Sequence, residues 1–428
     1  MSLIRIIGNA GSRGLNANAN GGLPTDGGIG QTVGVENLAV DERNVRAVAT
    51  GGAGGRGGNG NARVAGADGG EGGDASAIAE AQSSSLRNLE AQASATGGRG
   101  GAGGARGGDG GAGGDATNAS AVAISGRDDD RSQVIAQAAG TGGDGGVGNG
   151  AGGRGGDGGT GSNVTASAEL AGAGVADNGA LAIAVATGGD GGAGINGARG
   201  GRGGDATLTD AVQAVTDGGQ SVRDQQAVGG DGGDSETALA GNGGDARSSL
   251  TFNDFTSVTR SSEAIGFVAA QGGNGGAQTF DGIGGNGGSA QTSMTITASA
   301  TRSGTFAYGG TGGDGATGGG SGEAQAFVGG YLRRGLTAAI ETKSIVGTTG
   351  IDGGYAVPRE IDEAIDRTMK AISPIRAIAN VVKVGSAGYR KLVTTGGTPS
   401  GWVAEDAARP ETDTPDFAEI VPPSGELY

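Results

Sequence analysis

A Gly-Gly-X-Gly-Gly run opens seven times along this chain, directly after Thr50, Thr96, Thr141, Thr187, Val228, Gln271 and Tyr308. Successive openings lie 46, 45, 46, 41, 43 and 37 residues apart. A near-constant step of that length implies an array of stacked units, none of which can bury its own apolar face alone. Gly supplies 103 of the 428 residues, and the large aromatics are limited to seven Phe, five Tyr and one Trp. A core of bulky side chains is therefore not available to most of the chain, and order has to come from backbone contacts and small residues.

Each unit repeats one internal order. Two triplet-glycine runs come first, as in 97–104 and 107–115, and the second run often closes on Gly-Gly-Asp-Ala, as at 72–75, 113–116, 203–206 and 243–246. A stretch of small residues with period-two alternation follows (75–82, 118–125), then a polar turn (Ser83-Ser84-Ser85, Arg127-Asp128-Asp129-Asp130), then a second alternating stretch (89–95, 134–139). Alternation bounded by turn residues predicts strand, turn, strand, read here as a β-hairpin. Gly weakens both helix and strand interiors, whereas a period of three suits an extended helix of the polyproline type with three residues per turn. The expectation is layers of packed glycine helices alternating with short hairpins; the alternative is a disordered low-complexity linker. The pattern resembles the glycine-rich repeat regions of mycobacterial surface proteins and the glycine-helix sandwiches of some phage adhesins, a resemblance of composition that carries no function.

Several functional classes are removed early. Cys and His are absent, so disulfides, thiol nucleophiles, imidazole bases and His- or Cys-ligated metals are not available. A formal charge of −16 opposes non-specific nucleic-acid binding. No run of about 18 apolar residues is present for a membrane span, and the apolar stretch in 1–9 is too short for a secretory signal. Gly-Gly-X-Gly-X-Asp at 69–74, 110–115 and 200–205 resembles the start of a calcium-binding β-roll repeat, but Ser76, Thr117 and Thr207 stand where that repeat needs a large aliphatic residue. The bland reading, an Asp closing a glycine run, is preferred, and Asp128-Asp129-Asp130 reads as a solvated turn. Gly-x-Gly-x-x-Gly recurs without the strand, helix and acid that a nucleotide site needs. No cofactor and no catalysis are expected.

Composition changes near residues 322–340. All four Lys (343, 370, 383, 391), seven of the eight Pro and the single Trp402 lie beyond that point. Phe327, Tyr331 and Leu332 beside Arg333-Arg334 suggest a short amphipathic helix. A longer one begins at Pro358, a favoured first-turn residue, presents Ile361, Ala364, Ile365, Met369 and Ile372 on one face, and ends at Pro374. Val381–Val384 and Tyr389–Thr394 read as strands.

In this region Gly350-Ile351-Asp352-Gly353-Gly354-Tyr355-Ala356-Val357-Pro358, Ser373-Pro374-Ile375-Arg376, Gly401-Trp402-Val403-Ala404-Glu405, Arg409-Pro410-Glu411-Thr412-Asp413-Thr414-Pro415 and Glu426-Leu427-Tyr428 resemble, in order and spacing, the tailed-phage major capsid protein family. The resemblance implies an extended N-terminal arm over 344–357, the start of a long helical region over 358–380, and most of an extended β-hairpin loop over 388–428 that overlaps a neighbouring subunit. The family's main sheet and second domain would follow Tyr428, so the segment reads as an incomplete capsid domain, from either a genuine fusion or a truncated frame. A phage-encoded protease commonly removes the segment before the arm in this family. The exposed-looking stretch 341–347 then makes the Lys343–Ser344 bond a candidate processing site. Trp402, on a charged Gly-rich hairpin, is a candidate inter-subunit anchor.

The expected fold class is therefore a mainly β or irregular array of glycine-rich three-fold helices and short β-hairpins, followed by a partial α+β capsid-like segment. The expected domains are an N-terminal segment 1–49, the repeat module 50–321, a linker with a short helix 322–343, and the capsid-like part 344–428. The expected function is that of a structural virion protein that assembles with itself through hairpin overlap, with a maturation protease as a further partner, no membrane and no specific nucleic acid. Its place would be the virion, assembled in the bacterial cytoplasm. The alternative is a surface or fibre-like adhesion protein located at the cell surface or outside the cell.

Overall fold

The computed structural model describes residues 1–328 except 20–21, 87, 127–131, 174–178, 258 and 281, together with 339–340, 391–394 and 417–420. It divides into two units, Met1–Thr348 and Thr349–Tyr428.

In chain order the first unit contains β1 (Ser2–Ile7), β2 (Val33–Val40), β3 (Asn44–Thr50), β4 (Ala75–Ser83), β5 (Asn88–Thr96), β6 (Ala116–Ser125), β7 (Gln133–Thr141), β8 (Gly148–Asn149), β9 (Val164–Ala173), β10 (Gly179–Thr187), β11 (Gly194–Ile195), β12 (Ala206–Thr209), β13 (Val212–Asp217), β14 (Gln220–Val228), β15 (Ala246–Asn253), β16 (Glu263–Gln271), β17 (Ala290–Thr297), β18 (Thr301–Tyr308), β19 (Ala324–Val328) and β20 (Ala339–Ile340). One sheet has nine strands in the order β1-β3-β5-β7-β10-β14-β16-β18-β20. Facing it are a five-stranded sheet, β13-β9-β6-β4-β2, and a four-stranded sheet, β12-β15-β17-β19. Every pairing in these three sheets is parallel.

The expected fold class is corrected on three counts. First, the alternating stretches are strands where the sequence placed them, but they do not close as hairpins. β4 and β5 belong to opposite sheets, and each pairs with the matching strand of the next unit. The physical reason is the apolar face. Two strands of one unit present alternating alanines that must both be buried, and a polar turn lets them face each other across a core while the neighbouring units satisfy their backbones. Second, the glycine runs contain no α, 3-10 or π helix among the described residues. The helical structure among the described residues is a single 3-10 turn at Asp254–Thr256. Third, no α+β segment stands among the described residues. In the second unit these form two strands, β21 (Lys391–Thr394) and β22 (Phe417–Ile420), paired antiparallel with Lys391 opposite Ile420. The expected helix from Pro358 and Tyr331-Leu332-Arg333-Arg334 of the expected short helix lie outside the described residues, as does Asp128-Asp129-Asp130; Phe327, expected in that short helix, stands instead in β19, where its backbone pairs with β17.

Parallel, in-register stacking puts like residue on like. Ala47, Ala93, Ala138 and Ala184 form one row across the nine-stranded sheet, and Val45, Ala91, Ala136 and Ala182 form another; all are buried. Their counterparts, the rows Ala77-Ala119-Val164 and Ala79-Ala121-Ala166, line the facing sheet. A buried methyl-sized group contributes roughly 0.8 kcal/mol, so the few alanines of one unit cannot order it and the units must stack.

The glycine runs continue the stacking beyond the strand ends by another rule. The N–H groups of Gly51, Gly54, Gly57 and Gly60 donate to the carbonyls of Thr96, Arg99, Ala102 and Ala105 in the next layer. Gly52, Gly55 and Gly58 donate instead to Gln31, Gly28 and Thr25 of the facing run. A Cβ on Gly54 would stand 1.9 Å from the Gly70 carbonyl oxygen, so the close approach itself demands glycine.

Candidate functional site: the stacking ladders

Of each glycine triplet, two amides are used by these backbone bonds, and the X residue's amide remains. Where the layer before carries Asp or Asn at that place, its side chain accepts it. The Asp68 amide donates to Asp26 Oδ1 at 3.0 Å, Asp109 to Asp68 Oδ1 at 2.8 Å, and Arg154 to Asp109 Oδ1 at 2.8 Å. A second ladder runs from Asp74, which accepts the Asp115 amide at 2.9 Å, to Asp115, which accepts the Thr160 amide at 2.7 Å. A third passes from Asp144 to Asp190 at 3.3 Å, to Asp231 at 2.9 Å, to Asn274 at 2.6 Å and to Thr311 at 3.1 Å, the later residue donating in each case. Asn fills the same role as Asp, since Asn242 accepts the Asn286 amide at 2.9 Å and Asn286 accepts that of Gly320 at 2.8 Å. The recurrence of Asp and Asn at X thus supplies side-chain acceptors that join one layer to the next.

The electrostatic consequence shows at Asp190. Its carboxyl is pushed above the usual carboxylate value, first by partial desolvation and then by Asp231 and Asp144 on either side, against the lowering effects of the Asp231 amide and Arg99. Arginines interleave with the ladders: Arg99 pairs with Asp144 at 3.2 Å, Arg154 with Asp157 at 2.6 Å, and Arg202 with Asp205 at 2.7 Å and Asp245 at 3.6 Å. The glycine-Asp motifs at 69–74, 110–115 and 200–205 are accounted for here. Asp74, Asp115 and Asp205 each accept the amide of the following layer, and no group of three or more Asp or Glu able to hold a metal ion occurs among the described residues.

A second feature went unread in the sequence. In the nine-stranded sheet the rows of alanine break at β14, where Arg223 aligns with Ala182 and Gln225 with Ala184. Both are buried. The cause lies opposite, where the facing sheet divides: β12 and β13 are one stretch of chain interrupted at Asp210, with φ of 47°, and they pair with different sheets. The division orphans backbone groups, and the two polar side chains satisfy them. Gln225 accepts the Ala211 amide at 3.2 Å and donates to Ser249 O and Ser248 Oγ, both at 2.9 Å. Arg223 donates to the Ala214 carbonyl and, at 3.0 Å, to Ser221 Oγ. Its guanidinium lies 3.2 Å from the centroid of the Phe252 ring, and burial lowers its pKa to about 10, opposed by Asp254. At Gly266, its neighbour on β16, the place of a Cβ is taken by the Ile296 and Met294 side chains.

The residues singled out in the sequence, Lys343 and Ser344 at the proposed processing bond and Trp402 at the proposed anchor, lie outside the described residues. β21 and β22 fall within the stretch 388–428 that the resemblance assigns to the hairpin loop.

Residues 353–428 match the family model described as "Phage capsid family". No curated protein matches the chain. Among solved structures, the springtail antifreeze protein from Granisotoma rainieri, a nine polyproline type II helical bundle, is similar at 19% identity over 44% of this chain and 85% of that one, with a TM-score of 0.16. A superposition of that quality carries no argument about fold or function. The segment after residue 352 is thus similar to phage structural proteins, and the array before it has no matching curated relative.

Proposed function

We propose that this chain is a structural virion protein, a phage coat subunit or a fragment of one, that assembles with itself through overlap of the hairpin around 391–420 and performs no catalysis. The match of residues 353–428 to the Phage capsid family carries this reading. The antiparallel strands Lys391–Thr394 and Phe417–Ile420 support it, because an isolated two-stranded ribbon is marginal alone and gains stability from a neighbouring subunit. Trp402, between those strands in sequence, supplies a large apolar anchor for that overlap. The array contributes a slab whose backbone is satisfied layer by layer, and the bond between Lys343 and Ser344 is where a maturation protease separates it from the coat segment.

Electron microscopy of the expressed full chain tests the reading. Closed or sheet-like assemblies are expected, and Trp402→Ala should abolish them while leaving the circular dichroism of the array unchanged. Monomers at every concentration, or assemblies indifferent to Trp402→Ala, would contradict it. N-terminal sequencing of chains from assembled particles tests the processing step: a start at Ser344 is expected, and intact chains would refute it.

A further inference from the structure

The two ends of a stacked array are where its repeating interface stops, and the β1–β2 end is built unlike the interior. β1 is bonded on one side to β3 and β2 on one side to β4, and no other strand pairs with either among the described residues. Interior strands alternate small residues on the core face, as in β5, Asn-Leu-Glu-Ala-Gln-Ala-Ser-Ala-Thr, whereas β1 reads Ser-Leu-Ile-Arg-Ile-Ile. Leu3, Ile4, Ile6 and Ile7 are 52%, 40%, 40% and 58% exposed, and Leu38 and Val40 at the end of β2 are 61% and 70% exposed. Exposed edge strands are ordinarily protected by charge, proline or a bulge. Here β1 carries only Arg5 and β2 only Glu36, with no bulge in either ladder.

The glycine runs of the same layer are finished differently. Asn9 and Leu15 occupy the positions of Gly52 and Gly58, whose amides reach a facing run. In this first layer the Asn9 amide is accepted by Gln31 Oε1 at 3.0 Å and the Leu15 amide by Thr25 Oγ1 at 2.7 Å, while Asn18 Oδ1 accepts the Gly22 amide at 2.8 Å. Side chains thus close the runs as an end, and the strands beside them are left open and apolar.

We propose that the β1–β2 edge is a two-fold seam between two copies of this chain, in which β1 pairs antiparallel with the β1 of the second copy and β2 with its β2. The chain reverses between β2 and β3 through the short turn at 41–43, so β1 and β2 run in opposite directions. A two-fold axis perpendicular to the sheets therefore joins both edges at once. It keeps the inner faces of the two copies on the same side, so the alanine core continues through the seam. It also reverses the strands, so the capped glycine runs of the two copies fall beyond opposite ends of the shared strands and never meet. Head-to-tail stacking would press run on run, where Gln31 and Thr25 already fill the bonding positions. A foreign strand would cover one edge and leave the other bare. The seam is independent of the coat reading, since it uses no residue beyond 43.

The chain contains no Cys, which makes the test clean. Single cysteines are placed in the full chain at each of positions 3 to 7, with Gln92→Cys on interior β5 as control, and oxidised mildly. Opposed residues in an antiparallel pair bring their Cβ atoms to about 5 Å, so at least one β1 position should give a disulfide-linked dimer and the control should not. Light scattering of Leu3→Lys/Ile7→Lys, both outward-facing and exposed, should show loss of that dimer with an unchanged circular dichroism spectrum. Absence of a dimer at all five positions, cross-linking of β1 to a different segment or protein, or a mass unaffected by the double substitution would each overturn the seam. Assembly that depends on Trp402 is read separately, and its failure would leave these results unchanged.

Discussion

The strands and the glycine runs of the array stack on the same neighbours with the same step, yet they are held by opposite means. In the strands, side chains fill the space between sheets, and rows such as Ala47-Ala93-Ala138-Ala184 bury methyl groups. In the runs, the backbone itself is the packing surface: glycine amides donate to carbonyls in the next layer or the facing run, and where the layer before carries Asp or Asn at X its side chain accepts the X amide. Apolar packing tolerates small changes of shape, because a displaced methyl loses only part of its contacts. Backbone packed on backbone has no such slack. The same substitution should therefore have opposite effects in the two regions.

Gly97→Ala gives the largest expected effect. Its Cβ would stand 1.8 Å from the Gly114 carbonyl oxygen and 2.8 Å from the Gly143 nitrogen, so two neighbouring runs must separate. We expect a loss above about 4 kcal/mol, the range reserved for gross steric conflict, read by urea unfolding followed by circular dichroism. Gly179→Ala, at the start of β10, is the matched control. Among the described residues its Cβ meets nothing closer than the Gln220 carbonyl oxygen at 3.7 Å, and a gain of about 0.5 kcal/mol is expected from reduced freedom of the unfolded chain. Equal effects at the two sites would erase the distinction between the regions.

The place where the strand region abandons its own rule comes next. Gln225→Leu keeps the volume but leaves the buried Ala211 amide without a partner, a cost of about 2 kcal/mol. Arg223→Met should cost about 1–3 kcal/mol by stranding the Ala214 carbonyl. If both variants are as stable as the parent, the polar pair is not what bridges the divided sheet.

The smallest effect sharpens the ladder account. Asp190 has its carboxyl pushed up in the folded chain, so the fold prefers it protonated. A raised folded pKa means that stability from this residue rises as pH falls from neutral through that value, and the gain is complete once the unfolded value is passed. Asn274 shows that an amide accepts the same bond in the same ladder. Asp190→Asn should therefore stabilise by less than about 0.5 kcal/mol at neutral pH, given its solvent exposure, and should remove its share of the acid-side gain. Destabilisation would show that the charge, rather than the acceptor, serves the rung.

Much of the array was legible in the sequence because its periodicities are long and regular. The step of the Gly-Gly-X-Gly-Gly openings marks the layers, and the alternation over 75–82 and 89–95 falls on β4 (75–83) and β5 (88–96). Pairing was not legible. A strand–turn–strand unit with alternating alanine is compatible with a hairpin and with two strands in facing sheets, since period two fixes which residues share a face and not which strand lies alongside. The layer formed by β1 and the run after it escaped notice because only Gly8, Gly11 and Gly14 keep the spacing of three there. Arg223 and Gln225 escaped it because a polar residue at an alternating position reads as solvent-facing. Nothing local reveals that Asp210 divides the opposite sheet. The role of Asp at X became legible only when the layers were stacked, because each acceptor serves an amide 40–46 residues away.

Amide hydrogen exchange on the full chain tests the central claim most directly, namely that the glycine runs are as ordered as the strands and bonded through their own backbone. The amides of Gly51, Gly54 and Gly57, which donate to Thr96, Arg99 and Ala102, should exchange as slowly as those of β5. Fast exchange throughout 51–60 beside protected strands would contradict the account and reduce the runs to loose connections between sheets.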